Sequence, residues 1–166
     1  MSTPWVNLCD CRSPNYLVLL GHIEILPKIY GEVLIPQAVL DELQDSDAPV
    51  EVRAWVSTPP AWLRISSIVY QSHPLLDFLD RGERDAILLA ESVNADRLII
   101  DDLDGRREAA NRRRPVIGTL GILAEAARRD LLDLSQALAA LQATNFHAAP
   151  ALIKLLLAND AERHKR

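Results

Sequence analysis

Apolar residues along this chain fall into two alternating rhythms. Compact runs suit strands buried on both faces: Val6 to Cys9, Glu32-Val33-Leu34-Ile35 and Leu98-Ile99-Ile100, with a shorter one at Val116-Ile117. Trp62 to Val69 alternates loosely and reads as a further strand. Between the strands the apolar positions recur at helical spacing: Tyr16, Leu17, Leu19 and Leu20, then Ile23, Leu26 and Ile29, then Val39, Leu40 and Leu43. Ser13-Pro14 reads as an N-cap followed by proline at the first helical position. Pro36 starts the third helix, and Val50 to Val56 forms a short one that Thr58-Pro59-Pro60 stops. Leu75 to Leu79 and Arg84 to Val93 read as helical, hinged near Gly82. Arg106 to Arg113 follows as a basic helix, and Thr119 caps a helix over 120–128. Segments 135–145 and 150–159 are helical, and the charged tail from Glu162 should fray.

Strands alternating with helices predict an α/β fold, a central parallel sheet with helices on both faces. The 166 residues are expected to form one domain, 1–166, with a core over about 5–130 and a C-terminal helical extension over about 131–160.

The most informative stretch is Arg97-Leu-Ile-Ile-Asp-Asp-Leu-Asp104. Asp101, Asp102 and Asp104 crowd the C-terminal end of a strand, where ligands bind in open α/β sheets. Such carboxylates repel one another unless a cation joins them. Asp10 directly follows the first strand and shares that edge if the two strands are parallel. Glu42 lies near the end of the third helix. Glu83 and Asp85 stand at the start of a later one, where the helix dipole alone also favours acids. Oxygen donors of this kind suit Mg²⁺ or Mn²⁺.

At these residues the chain resembles a PIN-domain protein. The opening block is Asp10 with Ser13-Pro14-Asn15-Tyr16-Leu17 and Gly21-His22-Ile23-Glu24-Ile25-Leu26-Pro27. Then come Gly31 to Pro36, Leu40-Asp41-Glu42-Leu43, Gly82-Glu83-Arg84-Asp85-Ala86-Ile87, Asp101-Asp102, and Val116-Ile117-Gly118-Thr119-Leu120-Gly121. The similarity is closest to a subfamily related to the VapC-type toxins of bacterial toxin–antitoxin pairs. It implies a three-layer α/β/α domain and a Mg²⁺- or Mn²⁺-dependent endoribonuclease that hydrolyses RNA phosphodiesters with metal-activated water. By motif position Asp10 is the first acid and Glu42 the second. Asp85 is the third, with Glu83 as its rival, and Asp102 is the fourth, with Asp101 and Asp104 as neighbours. The resemblance further implies an antitoxin partner and favours a homodimer. One departure stands out. Cys11-Arg12 occupies the place where the family has a small hydroxyl residue before Ser-Pro. An ion pair from Arg12 to the acids would compete with metal, so the alternative is a catalytically impaired PIN-fold module that binds RNA or protein.

Other features narrow the picture. Net charge is −5, so any RNA contact must come from a local patch, and Arg106, Arg107, Arg112 and Arg113 form the main one. Aromatic residues are only 5%, which argues against a base-stacking platform. Cys9 and Cys11 are too close to suit a disulfide, and a second cysteine pair for structural zinc is missing. His22, His73, His147 and His164 are scattered and suggest no nucleophile triad. No apolar run approaches the roughly 18 residues of a membrane span, and the N-terminus shows no signal-peptide pattern, so a cytoplasmic setting is expected. Leu152, Ile153, Leu155, Leu156 and Leu157 make the last helix apolar over much of its circumference, which calls for cover on more than one side.

Overall fold

The computed structural model describes residues 6–8, 10, 12–68 and 70–166. Cys9 and Cys11, with the strand end and the unpaired thiols expected there, lie outside these residues, as does Val69. The chain gathers into two compact units, residues 1–118 and 119–166.

The first unit is built on a sheet. Its elements are β1 (Val6–Leu8), α1 (Arg12–Leu19), α2 (Ile25–Tyr30), β2 (Val33–Pro36) and α3 (Gln37–Gln44). They continue with α4 (Val50–Val56), β3 (Leu63–Ser66), α5 (Arg81–Val93), β4 (Arg97–Ile99), α6 (Leu103–Asn111) and β5 (Val116–Ile117). Every strand pair is parallel and the order is β3-β2-β1-β4-β5. The sheet grows outward from β1 through β2 to β3, then crosses back to β4 on the other side. The edge between β1 and β4 is therefore the topological switch point, where adjoining loops diverge and leave a crevice. The parallel sheet with its crossover helices is compatible with a three-layer α/β/α fold.

Most of the expected elements form within a residue or two, and the departures have local causes. Ser13 lies inside α1 rather than capping it, because its hydroxyl is used elsewhere, as described below. Residues 75–79 form turns, not a helix. Gly82 is no hinge: α5 runs unbroken through it from Arg81. Asn94, at φ 51°, ends α5 in the left-handed conformation that asparagine tolerates. Asp102 is a true N-cap of α6, its Oδ2 accepting from the N–H of Asp104 at 2.9 Å and of Gly105 at 3.3 Å.

Behind the switch point lies an apolar cluster from α5, β4 and α6, with Ile87, Leu98, Ile100 and Ala109 essentially inaccessible to solvent. It fixes the strand end and the two helix starts that carry the acids.

The second unit contains α7 (Thr119–Arg128), α8 (Leu134–Gln142) and α9 (Pro150–His164), each packed on the other two. Thr119 is the first residue of α7, not a cap before it. The charged tail does not fray at Glu162. The helix continues to His164, with Arg163 paired to Asp160 at 3.2 Å and to Asp130 at 3.1 Å. Ile153 is the buried residue of α9, while Leu152 and Leu155 remain exposed. No helix among the described residues is long and apolar enough to cross a membrane.

Ile99, fully buried on β4 between β1 and β5, tests this packing. Ile99→Ala should lower stability by about 2–5 kcal/mol, read as a fall in the urea midpoint.

Candidate acidic site at the switch point

Strand register brings the first two acids together. Leu8 pairs with Ile99 across β1 and β4, so Asp10 and Asp101 each lie two residues beyond the last matched pair. The Asp101 N–H accordingly donates to Asp10 Oδ2 at 3.2 Å, and the Asp102 N–H approaches the same oxygen at 3.4 Å. Asp10 Oδ1 accepts from the backbone N–H of Arg12 at 3.2 Å and of Ser13 at 3.4 Å. These four amides orient the carboxylate without neutralising it. Among the described residues no cationic side chain pairs with Asp10, which is 6% exposed. Burial, then the nearby charge of Asp101, raise its pKa to about 6 despite the amides.

Glu83 is the second perturbed acid. It is 5% exposed, in the first turn of α5, and its pKa is raised to about 7, first by burial, then by Asp102, Asp80 and Asp10. A Cβ on Gly105 would stand 3.6 Å from the Glu83 carboxyl carbon, so this group reaches the start of α6 beside the Asp102 cap. Asp10, Glu83, Asp101 and Asp102 thus form one electrostatically coupled set at the C-terminal edge of the sheet.

Asp85 is equally buried but sits differently. Arg84 holds it, with Nη2 at 2.9 Å and Nε at 3.0 Å from Oδ1, and Arg81 Nε stands 4.0 Å from Oδ2. Its charge is compensated within α5. Glu42 approaches the start of the same helix: a Cβ on Gly82 would fall 2.7 Å from Glu42 Oε1. Only glycine lets α5 come this close to that carboxylate. Glu42 also lines a cavity of about 420 Å³ with Asn15, Asp41, Asp45, Pro49 and Arg81. Asp104 is exposed, 3.8 Å from Arg107.

Two expectations about cations change. Arg12 is exposed, and among the described residues its guanidinium forms no ion pair with the acids; only its backbone N–H reaches Asp10. The basic cluster is divided. Arg106 turns inward and donates to the Ile100 carbonyl at 3.0 Å. Arg112 is taken up by Glu91 at 2.9 Å and Glu108 at 2.8 Å. Arg107 and Arg113 are the exposed members.

Ser13 escaped the sequence reading as a site residue. Its hydroxyl donates to Asp101 Oδ2 at 2.7 Å, although the side chain was expected to cap a helix. The signal lay in its distance from Asp10: three residues beyond a strand-end aspartate, the chain has already turned back toward the same sheet edge.

The set is all carboxylate and hydroxyl, the donors that Mg²⁺ and Mn²⁺ prefer. Among the described residues no three such groups stand close enough to form a ready-made cage. Mg²⁺ in particular is commonly held by one or two carboxylates with the rest of its shell water. Buried, mutually repelling carboxylates with no cationic partner at Asp10 fit such an ion.

The known families point the same way as this geometry. A family model described as a PIN domain matches residues 9–162 and so takes in helices of the second unit as well as the sheet. Among curated proteins and solved structures, none matches the chain. PIN domains are typically nucleases that act on RNA or DNA and generally use divalent metals. Acids gathered at the β1–β4 edge of a parallel sheet, within a match that spans most of the sequence, mean that this chain belongs to the PIN-domain family.

Proposed function

We propose that this protein is a Mg²⁺- or Mn²⁺-dependent endoribonuclease and the toxin of a bacterial toxin–antitoxin pair, acting in the cytoplasm. The observation that carries the nuclease reading is the coupled set Asp10, Glu83, Asp101 and Asp102, two of whose members are pushed toward neutral pKa values. The toxin role, the antitoxin partner and a homodimer rest on the resemblance to VapC-type sequences.

In this reading Asp10, Glu83 and Asp102 hold the cation, with Asp101 beside them. Glu83 takes the third acid's place because Asp85 is already neutralised by Arg84. Asp85 then supports the site by fixing the first turn of α5. Glu42 stands at the flank, where Gly82 lets it approach. A bound divalent cation supplies charge stabilisation at the phosphate and a more acidic water. The chain's own part is to hold the acids in register through the Asp10 amide contacts and to keep the site partly dry, which strengthens every electrostatic interaction in it. Exposed Arg107 and Arg113, on and just after α6, are the cations available to the RNA backbone. Arg12 gives the impaired-module alternative no support, since among the described residues its guanidinium forms no ion pair with the acids.

D10N and D102N should each abolish Mn²⁺-stimulated cleavage of single-stranded RNA, and E83Q should reduce it far more than D85N does. Equal cleavage by wild type and the two Asn variants sinks the assignment.

The shifted carboxyls also predict a pH-dependent stability. A group whose folded pKa lies above its unfolded value binds protons more tightly when folded, so its contribution is present at low pH and lost as pH rises through the folded pKa. For Glu83 that window runs from 4.5 to about 7. Metal-free wild type should lose more Tm than E83Q between these pH values, and added Mn²⁺ at pH 7.5 should raise the wild-type Tm. Parallel Tm curves for the two proteins would show that Glu83 is not the strained group.

A further inference from the structure

Gly118 follows β5 and faces the end of β4. A Cβ at this position would fall 2.7 Å from Arg106 Nη1, 2.7 Å from Asp101 Oδ1 and 3.5 Å from the Ile100 carbonyl oxygen. The guanidinium, the carboxylate and the strand-end carbonyl therefore converge on a space that exists only because residue 118 has no side chain. Arg106 is half-buried there and donates to Ile100 O at 3.0 Å. On the opposite side of Asp101, Ser13 Oγ donates to Oδ2 at 2.7 Å. Asp101 is thus tied to Ser13 through Oδ2, with Oδ1 facing the space that Arg106 also faces, while its own N–H orients Asp10.

We propose that Arg106 is a positioning residue: seated in the space Gly118 leaves open, it fixes the Ile100 carbonyl at the strand end that carries Asp101, so that the acids face one another, and it is not a contact to the RNA backbone. The assignment rests on the nuclease reading above. A planar guanidinium presents its donors in a rigid fork that can hold a carbonyl in one direction, whereas an ammonium is a point charge on a flexible stem. Lysine therefore keeps the charge and loses the geometry. Alanine at 118 keeps the guanidinium and removes its seat. The two substitutions disturb the same arrangement from opposite sides.

The experiment combines three readouts on R106K, R106Q, G118A and wild type, with circular dichroism to establish folding. Calorimetric titration gives Mn²⁺ affinity. Anisotropy of a labelled single-stranded RNA in EDTA, across a KCl series, counts phosphate contacts. Cleavage kinetics separate kcat from KM. R106K and G118A should each weaken Mn²⁺ binding by about 10–100-fold, the usual cost of losing a group that orients a metal ligand. Their kcat should fall while KM holds. The salt slope of R106Q should equal that of wild type. R107A, which removes an exposed cation, should lower the slope by about 0.7, the value for one phosphate contact on a single strand.

A slope lowered by that amount in R106Q, with Mn²⁺ affinity unchanged in R106K and G118A, overturns the proposal and returns Arg106 to the RNA. If R106K fails to fold, G118A carries the comparison, and wild-type Mn²⁺ affinity in G118A overturns it. A wild-type protein that binds Mn²⁺ but cleaves no RNA removes the nuclease reading alone, because the Mn²⁺ affinities still decide the role of Arg106. Absence of any difference in Mn²⁺ affinity, including no binding by any of these proteins, also counts against positioning.

Discussion

Repulsion acting on two buried carboxylates, Asp10 and Glu83, is the constraint on which the rest of this structure depends. Asp10 is buried beside Asp101, and Glu83 beside Asp102 and Asp80. The chain tolerates this in two ways. Four backbone amides, two from each strand end, converge on Asp10. Burial and repulsion also favour the protonated forms of Asp10 and Glu83 toward neutral pH. Both devices lower the cost of holding the acids together, and neither removes it. In the function proposed above, an external positive charge meets this set, and that reading links the sheet topology to metal-dependent chemistry.

The sheet edge was legible because it depends on local patterns that do not compete. Two strand runs, Val6 to Cys9 and Leu98 to Ile100, end directly in acids, and parallel pairing of β1 with β4 follows from the alternation of strands and helices. Once Leu8 is matched with Ile99, Asp10 and Asp101 must be neighbours. The ranking of acids within α5 was harder. Glu83 and Asp85 are two residues apart and both buried, so neither periodicity nor burial separates them. The difference lies in Arg84 and Arg81, which compensate Asp85 and leave Glu83 to face the other acids. Ser13 was misread for a related reason: a serine before proline has a strong local use as a cap, and only the tertiary position of Asp101 gives its hydroxyl a better partner.

The arginines teach the complementary lesson. Arg106, Arg107, Arg112 and Arg113 look equivalent as a run of positive charge. In the fold, Arg112 meets Glu91 and Glu108, Arg106 turns to the end of β4, and Arg107 and Arg113 remain at the surface. Helical spacing alone sends residues 106 and 107 about 100° apart. A basic stretch therefore overstates the cations available to a polyanion.

Gly82 carries a consequence of its own. Its missing side chain sets how near Glu42 can stand to the first turn of α5, so the placement of that carboxylate depends on a residue with no functional group. Among related sequences, the count of conserved acids would then be a poor guide to function. A chain could keep every carboxylate and still have Glu42 displaced by a single added methyl group at residue 82, and an inventory of acidic motifs would not register the change.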